Sequence, residues 1–274
     1  MQNDLEGFVL MKNTLLLMSV FALSICIPRD VEAREVMSLA TVENFKPFRW
    51  YQGKKLKGID IDVLSELGNR TDIQFRIQTV PWARLLSMVK DGDVDGAFAV
   101  NKTKEREAFA YFLDTPLHQG FYSIFVLKGH EFPFDNIESL YGKKIGKIRK
   151  YHISDEFELS ENDKKFKVFM VNKPKQYIDM LKLGRIDAFV GQYYATQYEI
   201  QQNELSEVIV TLPRPVSNVK NAYLVVSKKS PNKHIAELLQ RMNQALKEML
   251  NDGSFDKINA AYVKNARKYG VNRY

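Results

Sequence analysis

Between Val94 and Glu107 the chain reads VDGAFAVNKTKERE. A nearly all-apolar run ends at Val100, and Asn101, Thr103, Lys104 and Arg106 follow at once. Such a run suits a strand covered on both faces. Two chemistries fit the residues after it. Thr103 can cap a helix whose first turn is Glu105, Arg106 and Glu107. That explains Thr103, but it leaves Arg106, a cation, near the positive end of the helix dipole. Alternatively, a hydroxyl, backbone N–H groups and a guanidinium beyond a strand end make an anion site, for a carboxylate above all. Ligands bind at that end of open α/β sheets. Spacing alone leaves both readings open.

The other motifs weigh against rival chemistries. DGDVDG, from Asp91 to Gly96, begins like a calcium loop, yet its twelfth position is Lys102 where a bidentate Glu is required. Asp95 is expected instead to bond backbone at a strand edge. GKKIGK, from Gly142, is one residue short of a phosphate loop and lacks Ser or Thr after its Lys. His118, His130, His152 and His234 show no metal-ligand spacing, and neither a His-Glu-x-x-His nor a Gly-x-Ser-x-Gly motif occurs. We expect no metal, no cofactor and no catalytic residue.

The elements that position these residues alternate along the chain. REVMSLATV reads as a strand, GIDIDVLSELGNRT as a helix closed by Gly68, and DIQFRIQTV as a strand. PWARLLSMVKDG is a helix between Pro81 and Gly92, and VDGAFAV is a strand. This βαβαβ order implies an open parallel sheet. A second set follows: strands in GFYSIFVLKG, GKKIGKI and FKVFMV, a helix in PKQYIDMLKLG, a strand in RIDAFVG and a helix in QYYATQYEIQQ. KDGDVDGAFAV in the first set and KLGRIDAFVGQ in the second share one plan, so the chain reads as two similar α/β lobes. Two amphipathic helices, PNKHIAELLQRMNQALKEML and GSFDKINAAYVKNARKYG, close it.

Whole-chain properties narrow the setting. The 274 residues are 45 % hydrophobic and 27 % charged, an ordinary globular balance. Residues 11–33 have Lys12, an apolar run from Leu15 to Ile27 and a small-residue end at Ala33, the pattern of a secretory signal with Met11 as an alternative start. Ile25 before Cys26 argues against a lipoprotein. Cleavage would remove two cations, four carboxylates and the only Cys, raising the net charge from +7 to +9. Some 240 residues bury an adequate core without disulfides. No later segment is apolar enough to span a membrane, so a soluble periplasmic or extracellular protein is expected. The lysines are dispersed and no recognition motif accompanies them, which argues against nucleic acid.

In this order the phrases resemble the family 3 extracellular solute-binding proteins, the amino-acid-type periplasmic binding proteins of ABC importers. The phrases are KPFRWYQGKKLKGIDIDVLSELGNRT, VPWARLLSMVKDGDVDGAFAVNKTKEREAFAYFLDTPL, LYGKKIGKI, LKLGRIDAFVGQ and LKEMLNDGSFDKINAAYV. Almost all of the chain after the signal is covered. The resemblance implies a type II periplasmic binding protein fold, with two α/β lobes joined by two hinge strands. Lobe one would span 34–118 plus 220–274 and lobe two 119–219, with residues 1–33 as signal peptide. Ligand would bind between lobes that close around it, and a permease would receive it. No stable membrane insertion and a monomeric state are expected.

Residue by residue, the resemblance places Arg106 on the arginine that pairs with the ligand carboxylate. Asn101 and Thr103 fall on flanking hydroxyl positions. Phe45 falls on an aromatic over the ligand, and Trp82, at a strand end, is expected to wall the cleft. Lobe two departs from the pattern. Gln192 stands where the family commonly has an Asp for the ligand's ammonium, and a neutral amide lacks that charge. Lys150, Tyr151 and His152 stand where a Gly and two hydroxyl residues are usual. These departures imply a carboxylate-bearing ligand with no ammonium at the usual place, or with it elsewhere. The same fold resembles cyclohexadienyl dehydratases and the sensing subunits of membrane receptors, which are the alternatives to transport.

Overall fold

The computed structural model describes residues 34–42, 44–149, 151–232 and 234–264. The signal-like segment, with Cys26, and Lys150 of the lobe-two loop lie outside the described residues.

Strands sort into two main sheets. In the first, β1 (Glu35–Thr41), β4 (Ile73–Thr79), β5 (Gly96–Val100), β13 (Lys220–Ser227) and β6 (Ala110–Phe112) run in the order β4-β1-β5-β13-β6, and β7 (His118–Gly120) also pairs with β13. The first three are parallel, and β13 is antiparallel to its neighbours. In the second sheet, β8 (Tyr122–Leu127), β9 (Lys144–Ile148), β10 (Lys167–Val171), β11 (Ala188–Gln192) and β12 (Ile209–Pro215) take the order β10-β9-β11-β8-β12. Again three strands are parallel, and β8 and β12 are antiparallel. Both sheets therefore share one plan: second, first and third strand, then the strand that enters from the other sheet. A small hairpin, β2 (Trp50–Gln52) with β3 (Lys55–Lys57), stands apart.

The chain crosses between sheets twice, from β7 through Phe121 to β8 and from β12 to β13. The crossovers pair with each other, with Gln119 opposite Asn221 and Gly120 opposite Lys220. The Asn221 carboxamide oxygen accepts from Gln119 Nε2 at 3.0 Å. Two paired crossover strands thus join the two sheets.

Helices cover the sheets where their apolar stripes demand it. α1 (Ile59–Thr71) buries Ile59, Val63, Leu64 and Leu67, and α2 (Trp82–Asp91) buries Leu85 and Val89. α3 (Lys104–Glu107) follows β5, and α4 (Asp155–Asn162), α5 (Pro174–Lys182) and α6 (Tyr193–Gln202) belong with the second sheet. α7 (Ile235–Asn251) buries Leu238, Met242, Ala245, Leu246 and Met249, and α8 (Ser254–Tyr262) follows.

Gly68 does not close α1. The helix continues to Thr71 and ends on Asp72, whose φ of 53° takes the left-handed cap. Packing explains the glycine instead: a Cβ on Gly68 would lie 2.6 Å from the Ile73 carbonyl oxygen. The turn into β4 needs that close approach. Helix α4 has no counterpart among the expected elements. Its signal is short but present in DEFELSEN: Ser154 caps Phe157 N–H at 3.3 Å, and Asp155, Glu156 and Glu158 fill the first turn.

Asp60, in the first turn of α1, is fully buried. It accepts from Arg49 Nη1 at 2.9 Å and from His118 Nδ1 at 2.6 Å. The His118 ring stacks on Phe48 at 3.9 Å, and Phe48 stacks on Phe45 at 5.3 Å. Thus one carboxylate ties α1, the first crossover strand and the loop after β1.

Candidate functional site

All eight residues singled out in the sequence lie just beyond, or at, the C-terminal end of a parallel strand. Phe45 follows β1, Trp82 follows β4, and Asn101, Thr103 and Arg106 follow β5. Tyr151 and His152 follow β9, and Gln192 ends β11. That edge of both sheets is where open α/β folds bind ligands, because loops there are free to carry side chains and helix N-termini face them.

The end of β5 is bent by a bulge. Its register against β13 slips by one residue between Val225↔Ala97 and Tyr223↔Val100. Ala99 carries the strain with a φ of 61°, a left-handed geometry that costs an L-residue about 1–2 kcal/mol. Bulges re-aim the chain that follows them. Here Asn101 turns so that its Nδ2 donates to the Asn221 carbonyl at 2.9 Å, tying the end of β5 to the second crossover. Arg106 Nη1 donates to the Asn101 carbonyl at 2.7 Å. Thr103 Oγ1 accepts from Arg106 N–H at 3.3 Å and caps α3. The Arg106 guanidinium lies 5.0 Å from the centre of the Trp82 ring, and that ring is 37 % exposed. The cap reading of TKERE holds, since Thr103 caps α3, and the guanidinium stays partly exposed over the Trp82 ring.

Phe45, Tyr151 and Gln192 come together elsewhere, on a cavity of about 360 Å³. Arg106, Thr103, Asn101 and Trp82 are not on its wall. Tyr177 and Ile148 add apolar surface. One face of α6 adds Gln192, Ala195, Thr196 and Glu199 at helical spacing. Gln192 is also the cap of that helix, since its Oε1 accepts from Ala195 N–H at 2.7 Å. Its Nε2 is buried without a partner. Leaving a buried donor unpaired costs about 1–3 kcal/mol. A Cβ on Gly120 would come within 3.3 Å of that nitrogen, so the amide lies against the first crossover strand.

His152 is not on the cavity wall; it is exposed and 3.2 Å from Asp155. The loop bearing Tyr151 and His152 is pinned from below. Lys147, 3 % exposed, donates to Glu158 at 2.7 Å and Glu161 at 2.6 Å, and Glu158 Oε1 accepts from Ile153 N–H at 3.0 Å. A larger hollow of about 750 Å³ lies beside the second crossover, between Arg214–Val219 and the head of α4. None of the eight residues lines it. Phe45, Tyr151 and Gln192 thus converge on the smaller cavity, and Arg106, Asn101, Thr103 and Trp82 form a separate group beyond β4 and β5.

Phenols around the cavity are shifted upward. Burial pushes Tyr122 up to about 12, aided by Tyr151. Burial also raises Tyr177, against a bond to Thr196, with Tyr151 and Glu199 adding to the rise. An unfolded Tyr ionises near pH 10. Above about pH 10 the unfolded chain has lost protons that the folded chain keeps, so stability falls as pH rises towards about 12. The urea midpoint is expected to drop between pH 9 and pH 11, and Tyr122→Phe to flatten that drop. An unaltered pH profile in Tyr122→Phe would assign the effect to other groups.

Sequence reading missed Glu199, Tyr177 and the Asp60 cluster. Glu199 had a signal, because it lies seven residues after Gln192 and so on the same helix face. Asp60 had none, since a buried acid is identified by partners far away in the chain.

The profile of the bacterial extracellular solute-binding proteins, family 3, matches residues 37–265. The chain belongs to this family. PatH of Vibrio harveyi, named for amino-acid ABC transporter binding, is 26 % identical over 235 residues, covering 85 % of this chain and 90 % of that one. Among solved structures, substrate-binding domain 2 of Lactococcus lactis GlnP in its open conformation aligns with a TM-score of 0.71 at 19 % identity, over 86 % of this chain and 98 % of that one. The unliganded, open L-cystine solute receptor of Neisseria gonorrhoeae gives 0.72 at 16 %, over 88 % and 96 %. The family 3 protein is thus a solute-binding protein of the two-lobed, type II fold. Among the described residues no helix is long and apolar enough to cross a membrane.

Proposed function

We propose that this family 3 protein captures a small carboxylate-bearing ligand, an amino acid or a related compound, between its lobes and passes it to an ABC permease. It acts as a monomer in the periplasm or at the cell exterior. The observation that carries this reading is the partly exposed Arg106 guanidinium, held over Trp82 by the Asn101 carbonyl beyond the end of β5. A planar fork there matches a carboxylate.

Arg106 takes the carboxylate, with Asn101 and Thr103 beside it. Trp82 and Phe45 wall the ligand from lobe one, and Gln192, Tyr151 and His152 meet it from lobe two. Lobe one is 34–118 plus 220–274 and lobe two is 119–219. They rotate about the paired crossovers. Contacts from both lobes exist together only in the closed form, so ligand shifts the population towards closure. The amino-acid transport name of PatH supports this ligand class.

Native mass spectrometry of protein purified without added ligand tests the reading. A retained small acid, or thermal stabilisation by an amino or carboxylic acid, is expected. Ligand-free protein that no such compound stabilises would overturn it.

A further inference from the structure

The cavity beside Phe45 carries a charge pattern that the Arg106 site does not explain. Glu199 is the one carboxylate on its wall among the described residues. It makes no ion pair among them, and it is only partly exposed. Lys46 also borders the cavity, but its ammonium lies over the Trp50 ring, 5.9 Å from the centre, and Trp50 is not on the wall. Phe45, Tyr151 and Tyr177 supply aromatic faces, which attract cations through their quadrupoles. Ala195, between Gln192 and Glu199 on the α6 face, keeps the groove open. Seven residues of helix separate Gln192 from Glu199 by about 10 Å.

The two ends of this groove offer opposite chemistry. At Gln192 the carboxamide oxygen is spent on the Ala195 N–H. The nitrogen beside it can only donate. An ammonium placed there meets no counter-charge from Gln192. At Glu199 a carboxylate awaits a donor, beside rings that favour positive charge.

We propose that the cavity selects a ligand with a cationic far end, an ammonium or guanidinium on an aliphatic stem, and that Glu199 is its counter-charge. The ammonium next to the ligand's carboxylate is then dispensable. The ligand class is the ω-amino or ω-guanidino carboxylic acids, with or without an α-ammonium. Glu199 is a specificity-determining residue that acts two helical turns away from the position usually watched. This inference rests on the reading of the protein as a carboxylate-capturing binding protein.

Calorimetry on the intact wild-type protein tests it with three probes. These are L-arginine, 5-guanidinopentanoate, which lacks only the α-ammonium, and L-norleucine, which lacks the ω-cation. We expect the two guanidino acids to bind within about tenfold of each other, and L-norleucine to bind at least roughly tenfold more weakly than either. Glu199→Gln is expected to remove that preference while leaving the L-norleucine affinity unchanged. Three results would overturn the proposal: L-norleucine binding as tightly as the guanidino acids, an unaltered preference in Glu199→Gln, or a loss beyond about a hundredfold on removing the α-ammonium. Neutral acids that bind in an Arg106-dependent way, without help from a cationic tail, would remove this inference and leave the capture function standing. Failure of every acid, these probes included, to bind would remove both.

Discussion

Arg106→Ala is expected to weaken ligand binding by about a hundredfold or more while leaving the fold intact. The estimate follows from charge-assisted hydrogen bonds worth about 1.5–3 kcal/mol each, made in pairs by a guanidinium fork. The cost to stability is small because Arg106 holds little of the structure together. Among the described residues its side chain makes one hydrogen bond, to the Asn101 carbonyl, and lies over a partly exposed ring. Exposed cation–π contacts contribute about 0.5–1 kcal/mol. Circular dichroism and thermal melting should therefore match wild type closely while calorimetry shows the loss. Arg106→Lys should fall between, since it keeps the charge and loses the fork. Unchanged affinity in Arg106→Ala would take this residue out of the site.

The largest effect on stability is expected at Asp60. Removing its carboxylate leaves the Arg49 guanidinium, 90 % buried at its side chain, facing no counter-charge. Breaking a buried pair from one side costs about 3–5 kcal/mol. His118 loses its acceptor as well. Asp60→Ala is therefore expected to lower the urea midpoint steeply, and Asp60→Asn somewhat less. The double variant Arg49→Met with Asp60→Leu should recover much of the loss, because both buried charges then disappear together. A single-variant cost below about 1 kcal/mol would show that Arg49 finds water or another partner. Binding should weaken too, since Phe48 stacks on both His118 and Phe45, which the proposed function puts over the ligand.

Much of this protein was legible in one dimension. VDGAFAV and RIDAFVG are short apolar runs that only a covered strand can hide, and both became third strands of their sheets. Thr103 was a cap by type and position, and it caps. Gly68 misled because a helix-ending glycine and a close-packing glycine look alike in sequence. Helix α4 escaped because eight residues with two charge-rich turns carry little apolar period.

What the sequence by itself determined is therefore the two-lobed plan and the strand ends at which the expected ligand-binding residues, Arg106 among them, stand. Those follow from local periodicity and residue type, which need no knowledge of neighbours. Tertiary structure alone decided three other things. Gln192 spends its carboxamide oxygen on its own helix, Glu199 shares its cavity, and Asp60 binds Arg49 and His118 from two other segments. Each depends on atoms brought within about 3 Å, or onto one wall, by folding of a chain whose local pattern cannot register them.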